Sequence, residues 1–447
     1  MVTTNIGKIF LQAYNVKYEK NYTAKDFFDK VFFPLVLDSP KYLQWVQNSP
    51  FVQMKQGQRV ETLTSEERRE KLSEFHQKIL MGSQDASVAL GYAASEEKGF
   101  ATTSGQVTNM ELSITAEDVY LSWIGACLGL GVKGGISILF DQPALLLDVF
   151  EGWAVYRKLL DEVPSLKGNQ LSSAWNAQWL IHKYSRLFNP KNPFAHLWLT
   201  FPSHSSINPF AHLDPYEEKA GVMGIKVESW TLLLIRICQH YTNPKVLGYV
   251  YGFGQMNTTI GFIPFVLSQI RRSFDFYDRL FQMEREKAEP LWGTAFGLQK
   301  ACERGVVGLS AMEPKGLRDY ILAKKMPKYK QENQQQTILF HTYITWIIAM
   351  LNNEELWAKA LEFATVLQNF STGNKQGKTS NSRKVDEVLK ATNKKNFIES
   401  LVEIVGNSTE VDVITKIASL VNTMPTENVP YFLTLVRFRY AEINNNK

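Results

Sequence analysis

The residues with the most chemical reach lie between positions 190 and 290. Glu217-Glu218-Lys219 contains E-x-K, the tail of a metal-dependent nuclease core. Such a core holds Mg²⁺ between two carboxylates, so it needs another acid a strand or more upstream. Asp214 is too close in sequence to supply it, and a nuclease using Glu217 and Lys219 stands as the alternative reading. His196, His204 and His212, with Asp214, form a loose group of zinc-capable side chains. Their spacing of eight residues in Pro-rich loops fits no standard site, so no metal is expected. Glu284-Arg285-Glu286-Lys287 reads as the solvated face of a charged helix.

Gly129-Leu130-Gly131-Val132-Lys133-Gly134 matches G-x-G-x-x-G. A dinucleotide fold needs a strand before this motif and a helix opening inside it. Here the glycines run into the strand-like ISILF, so a Gly-rich hairpin is the better reading. No P-loop, G-x-S-x-G, H-E-x-x-H or zinc-deaminase motif occurs. Catalytic residues and a cofactor are therefore not expected.

Three polar glycine loops offer a different chemistry. Met54–Arg59 places Lys55, Gln56 and Arg59 around Gly57. Lys98–Gln106 holds Thr102, Ser104 and Gln106, and Gly254–Thr259 holds Asn257. Backbone N–H groups in such loops approach phosphates, and amide or cationic side chains reach base edges. Charge points the same way. Over 447 residues Lys and Arg exceed Asp and Glu by five. Residues 371–395 carry seven Lys or Arg and two acids, an excess equal to that of the whole chain. Lys324, Lys325, Lys328 and Lys330 add a second basic patch. A basic rim of this kind suits a nucleic-acid backbone.

The elements that must position these groups form two lobes. Residues 1–325 read as a mixed α/β lobe, and residues 326–447 as an antiparallel helical bundle, together an α+β chain. Thr64 or Ser65 caps a helix over 62–82 that Gly82 ends. Pro34 interrupts an aromatic block at 26–33. Residues 83–140 read as β-prone, with MELSIT and GISILF as strands. NPFAHL occurs at Asn192–Leu197 and again at Asn208–Leu213, a repeated turn rather than a solenoid. Residues 337–370 form one bent helix or two, and 371–384 looks like a linker. Beyond it, helices bury Phe397, Leu401 and Ile404, then Val413, Ile417 and Leu420, then a face from Val429 to Ile443.

Cys127, Cys238 and Cys302 are far apart and form no CxxC, which favours a reducing cytoplasm over a disulfide scaffold. The N-terminus shows no secretory pattern. The apolar run 337–351 falls short of the ~20 residues a membrane span needs. A buried core helix explains it better, and no membrane partner is expected.

A mixed lobe with polar glycine loops, the TTSGQ segment at Thr102–Gln106 and a terminal bundle with a basic edge resemble the large subunit of type I CRISPR surveillance complexes (Cascade). The resemblance covers the overall layout. It implies a non-catalytic subunit that holds the crRNA beside other Cascade backbone subunits. It also implies reading of a short protospacer-adjacent motif (PAM) on target double-stranded DNA, and recruitment of an effector nuclease or other protein. A few amide or cationic contacts suffice for such a motif, because guide pairing supplies the remaining specificity. Residue chemistry names Lys55, Gln56, Arg59, Thr102, Ser104, Gln106 and Asn257 as motif readers. Lys375, Lys378, Arg383 and Lys384 are the candidates for strand-backbone contact. A protein-interaction scaffold is the third class.

Overall fold

The computed structural model describes residues 1–46, 49–81, 90, 94–95, 107–108, 114–197, 199–200, 206–207, 224–252, 258–281, 285–293, 295–330, 332–372 and 378–445. The fold is α+β, with a helical C-terminal region. Two compact units divide the chain, Met1–Leu267 with Gly297–Val307, and Ser268–Phe296 with Gly308–Lys447. The border at 325/326 read from composition falls inside the second unit. Hydrogen bonds explain the division. Val266 N donates to Val307 O at 2.8 Å and Val307 N to Pro264 O at 2.9 Å, which returns 297–307 to the first unit. Trp346 Nε1 donates to Leu309 O at 3.0 Å and Tyr343 OH to Lys315 O at 2.6 Å, which ties 308–325 to the second.

In the first unit the long helices are α1 (Val2–Lys17), α2 (Ser65–Leu80), α3 (Ala116–Cys127), α4 (Pro143–Glu162), α5 (Asn176–Lys183) and α6 (Trp230–His240). Its sheet is antiparallel, in the order β1 (Leu130–Val132), β2 (Ile136–Phe140), β3 (Val246–Gly252), β4 (Thr258–Phe265). Ile138 pairs with Val250, and Gly248 with Ile263. The expected glycine hairpin is β1–β2. Gly134 and Gly135 turn it at φ +100° and +69°, and a Cβ on Gly131 would overlap the Ser173 backbone.

Local signals set most helix starts. Thr64 and Glu67 cap α2 reciprocally, Glu67 N to Thr64 Oγ1 at 3.2 Å and Thr64 N to Glu67 Oε2 at 2.8 Å. Thr115 and Asp118 do the same for α3. That corrects the reading of 116–127 as β-prone. From Val119 to Cys127 every residue of α3 except Ala126 is buried, so that stretch shows no polar face to reveal a helical period. GISILF forms β2, whereas residues 110–113 of MELSIT lie outside the described residues. Pro34 does not end the aromatic block. Helical turns run through it from Ala24 to Val36, with a π-turn at Phe28–Phe32 just before it.

Aromatic rings fill the core of this unit. Phe28 stacks on Phe75 at 5.2 Å, Trp123 meets Phe75 at 5.0 Å and Phe51 at 5.5 Å, and Phe32 meets Trp153 at 6.0 Å. The high aromatic content is thus spent largely on packing. α1 lies against α3 at backbone distance. A Cβ on Gly7 would overlap the Leu121 carbonyl, and one on Gly125 the Thr3 carbonyl.

The second unit contains α7 (Leu267–Phe281, from Ser268 onward), α8 (Gln334–Leu351), α9 (Glu355–Thr372), α10 (Lys378–Lys390), α11 (Lys394–Val405), α12 (Val411–Thr423) and α13 (Val429–Asn445). Residues 337–370 are two helices, because Asn352 adopts a left-handed conformation at φ +53°. The run 337–351 is the buried α8, and among the described residues no helix is long and apolar enough to cross a membrane. Residues 378–384 are helical rather than linker, because Val385, Val388 and Leu389 bury the helix they open. α11 buries Phe397, Leu401 and Ile404 as expected. α12 buries Ile414, Ile417 and Val421, a rotation from the expected face.

Gly125→Ala should destabilise the protein by ~1–3 kcal/mol, the usual cost of overpacking. Gly406→Ala, at φ −64° with open space around its Cβ, should be neutral or stabilise by up to ~1 kcal/mol. Urea midpoints measure both, and equal midpoints would remove the close α1–α3 approach as a constraint.

Candidate nucleic-acid interface

The turn at 50–59 is held from behind by α2. Lys71 Nζ donates to Pro50 O at 3.2 Å and to Gln53 O. Gln58 Oε1 accepts from Lys55 N at 3.1 Å, while Gln58 Nε2 donates to Glu67 Oε1 at 2.8 Å. Gly57 supplies the left-handed step at φ +83°. Arg68, one turn earlier on α2 than Lys71, binds Asp38 at 2.9 Å and the Leu63 carbonyl, fixing the helix itself. Lys55, Gln56 and Arg59 stand exposed on this fixed backbone. The sequence reading placed them together, and the geometry adds that their platform is rigid. Thr102, Ser104, Gln106 and Asn257 lie outside the described residues.

In the second unit the basic segment divides into structural and exposed cations. Lys394 Nζ donates to Asn422 O at 2.7 Å and Met424 O at 3.0 Å, closing the carbonyl end of α12. Lys384 is only 25% exposed and lies 3.5 Å from Glu403 on α11. Arg383 and Lys395 are 83% and 80% exposed, in loose pairs with Glu387 at 3.4 Å and Glu399 at 3.9 Å. Exposed pairs of this kind contribute ~0–1 kcal/mol and are screened by salt, so a polyanion displaces them readily. The outer face of α10 carries Arg383, Asp386, Glu387 and Lys390, two charges of each sign. Lys375 lies outside the described residues, and of Lys378 only the backbone is described, at the start of α10.

Arg437 fixes α10 in place. The guanidinium is fully buried and donates to Leu389 O at 3.0 Å, Ala391 O at 3.2 Å and Thr434 Oγ1 at 3.4 Å. These carbonyls end α10, where the helix dipole is negative. Burial pulls the pKa of Arg437 down to about 10, so it stays charged at neutral pH.

The described residues do bring two carboxylates and a lysine together, but not at Glu217 and Lys219, which lie outside them. On α4, Asp148 Oδ1 accepts from Lys183 at 2.5 Å, and Oδ2 accepts from Tyr184 and Tyr241, each at 2.6 Å. Glu151 binds the same Lys183 and, at 2.6 Å, Lys17 of α1. Both Asp148 oxygens are thus engaged, and two lysines balance two acids. Sequence reasoning missed this group because its members come from four separate segments. Burial alone would raise the Asp148 pKa, yet the bonds from Lys183, Tyr184 and Tyr241 prevail and hold it below the usual carboxylate value. Burial also drives the Tyr184 and Tyr241 hydroxyls upward, so they remain donors.

Among the described residues no three His, Cys, Asp or Glu side chains are placed to hold a metal ion. His196 is described, whereas His204, His212 and Asp214 lie outside the described residues. Cys127, Cys238 and Cys302 are buried, and none is in a disulfide among the described residues. No protein family matches this chain, and no curated protein or solved structure matches it either.

Asp148→Asn tests the four-segment tie. The folded pKa of Asp148 is lowered, so its contribution is complete above the ordinary value near ~3.9 and is lost as pH falls through the folded value. The variant should lose ~1–4 kcal/mol at pH 7, between the costs of breaking exposed and buried pairs. Its stability should converge with that of the parent below the carboxylate range. Denaturant titrations at pH 7 and at acid pH measure this, and equal stability at pH 7 would sink it.

Proposed function

We propose that the chain is a non-catalytic nucleic-acid-binding protein that reads a short duplex element through the 50–59 turn. Its place is the large-subunit role in an RNA-guided type I CRISPR surveillance complex in the cytoplasm. Its partners there are crRNA, target double-stranded DNA, the backbone subunits and a recruited effector nuclease. The observation that carries the reading is the turn pinned by Gln58, Glu67 and Lys71, with Lys55, Gln56 and Arg59 exposed. A fixed backbone lowers the ordering cost of binding. Gln56 can contact a base edge by paired hydrogen bonds, and Lys55 and Arg59 can engage guanine or phosphate. Arg383 and Lys395 supply long, weakly engaged cations for a strand backbone.

Two contact types predict two signatures. Replacing a phosphate-contacting cation lowers affinity across all sequences and reduces the log–log salt slope by about one. Replacing a base-reading side chain costs ~1–3 kcal/mol at one position of the motif. Anisotropy titrations of duplexes with a randomised short motif, at several salt concentrations, separate the two. Gln56→Ala should relax preference at one position, and Lys55→Ala and Arg59→Ala should weaken binding about tenfold each. Unchanged affinity and preference in the triple variant would overturn the reading. Mg²⁺-dependent cleavage by the purified chain would replace it with the nuclease alternative.

A further inference from the structure

The segment Lys324–Lys330 lies in the second unit, between the short helix Leu317–Ile321 and α8. It has no regular secondary structure, yet both of its ends are fixed. At one end Ala323 closes the short helix in a left-handed conformation at φ +53°. Lys324 N and Lys325 N then donate to Asp319 O at 2.9 Å and 3.2 Å. At the other end Lys330 N donates to Gln336 Oε1 at 3.1 Å, and Asn333 N donates to Lys330 O at 3.0 Å. Between them Pro327 is buried, and the Tyr329 ring meets Phe340 edge-on at 5.0 Å.

Lys324, Lys325, Lys328 and Lys330 all stand exposed on this backbone. Most of the acids around them are already engaged. Glu313 holds Arg318 at 2.9 Å, Asp319 holds Lys325 at 2.8 Å, and Glu442 of α13, near Tyr329, holds Arg439 at 2.9 Å. Glu332 is the remaining acid of the segment. Lys324, Lys328 and Lys330 make no ion pair among the described residues. The face of α10 and α11 differs, because Arg383, Lys384 and Lys395 there each meet a glutamate at 3.4, 3.5 and 3.9 Å. Neighbouring ammonium groups without acids repel one another, and a polyanion relieves that repulsion.

The side chains around these lysines narrow the choice of polyanion. Lys is depleted at the core of protein–protein interfaces, which rely on aromatic and Arg anchors. The one large apolar side chain that 322–330 exposes is Leu322. A single strand is held by open rings on which its bases stack. The rings here, Tyr320 and Tyr329, are instead packed against Phe340. A duplex backbone needs only positioned point charges. We propose that Lys324–Lys330 is a sequence-independent contact for the phosphate backbone of duplex DNA, carried by Lys324, Lys328 and Lys330. The inference rests on the proposed function for its class of partner and adds a surface that reading does not use.

Anisotropy titration of the full chain with a labelled 30-base-pair duplex, at several salt concentrations, tests it. The triple variant Lys324→Gln, Lys328→Gln, Lys330→Gln should bind the duplex about tenfold more weakly. Its log–log salt slope should fall by roughly 2.7, at about 0.9 per lost phosphate contact. Its melting temperature should stay that of the parent, because the three side chains are exposed and unpaired. The triple Lys→Arg variant keeps the charge and should retain affinity and slope. Any preference for a short motif should survive in both variants, because the 50–59 turn is untouched. Loss of that preference in Lys55→Ala, Gln56→Ala, Arg59→Ala, with lysine-dependent duplex binding intact, would support both assignments. A parent chain with no motif preference but with lysine-dependent duplex binding would sink the turn reading and support this one. Unchanged duplex affinity and slope in the Gln variant would overturn the inference. So would a larger loss on a single strand of the same length, or competition by poly-glutamate as effective as that of unlabelled duplex at equal charge.

Discussion

Asp148 is the point at which separate helices of the first unit are tied together. Its carboxylate takes Lys183 and Tyr184 from the end of α5 and Tyr241 from the end of α6, and its carbonyl takes Trp179 Nε1 at 2.8 Å. Through Glu151 and Lys17 the tie extends to α1. A carboxylate drawn partly out of water needs nearly all its acceptor sites filled, and here two helix ends fill them. Arg437 plays the corresponding part in the second unit with the opposite charge. It finds no carboxylate among its hydrogen-bond partners and uses helix-terminal carbonyls instead. Asp148 is half-buried and Arg437 fully buried, and removing either leaves several partners unsatisfied, which makes them specific rather than merely stabilising.

Around these ties the packing is unusually close. Gly7 and Gly125 let α1 and α3 meet backbone to backbone, and Gly131 admits the Ser173 segment against β1. Close approach of backbones leaves large rings such as Trp123, Phe75 and Phe28 to fill the remaining space. Small and large residues are therefore complementary parts of one core.

Features controlled by neighbouring residues were legible in the sequence. The Thr64 cap of α2, the Gly134-Gly135 turn, β2 and the buried face of α11 follow from short-range chemistry. Features controlled by distant partners were not. From Val119 onward α3 is buried nearly all round and loses its period. β3 pairs with β2 across about a hundred intervening residues, and Gly248 and Pro264 weaken the strand pattern of β3 and β4. α10 has linker composition, and only Val385, Val388 and Leu389 against neighbouring helices decide its state. The return of residues 297–307 to the first unit rests on a two-bond pairing at Val307 that composition does not register. Among site residues, Lys55, Gln56 and Arg59 were legible as one loop. The Asp148 tie was not, since its members are scattered along the chain.

Charge shows why sequence proximity and spatial field differ. The cationic excess in residues 371–395 stops just short of Glu399 and Glu403, which α11 brings beside Lys384 and Lys395. Asp386 and Glu387 share the outer face of α10 with Arg383 and Lys390. At the ~8–10 Å screening distance of ordinary salt, a polyanion meets this balanced neighbourhood rather than the linear count. A field of that kind guides a strand weakly and without choice. Selectivity must then come from groups whose position is fixed before contact, and the 50–59 turn meets that condition because α2 bears its ordering cost in advance. Under the proposed reading, the exposed cations Arg383 and Lys395 would add affinity that falls with salt, while the turn would distinguish one sequence from another.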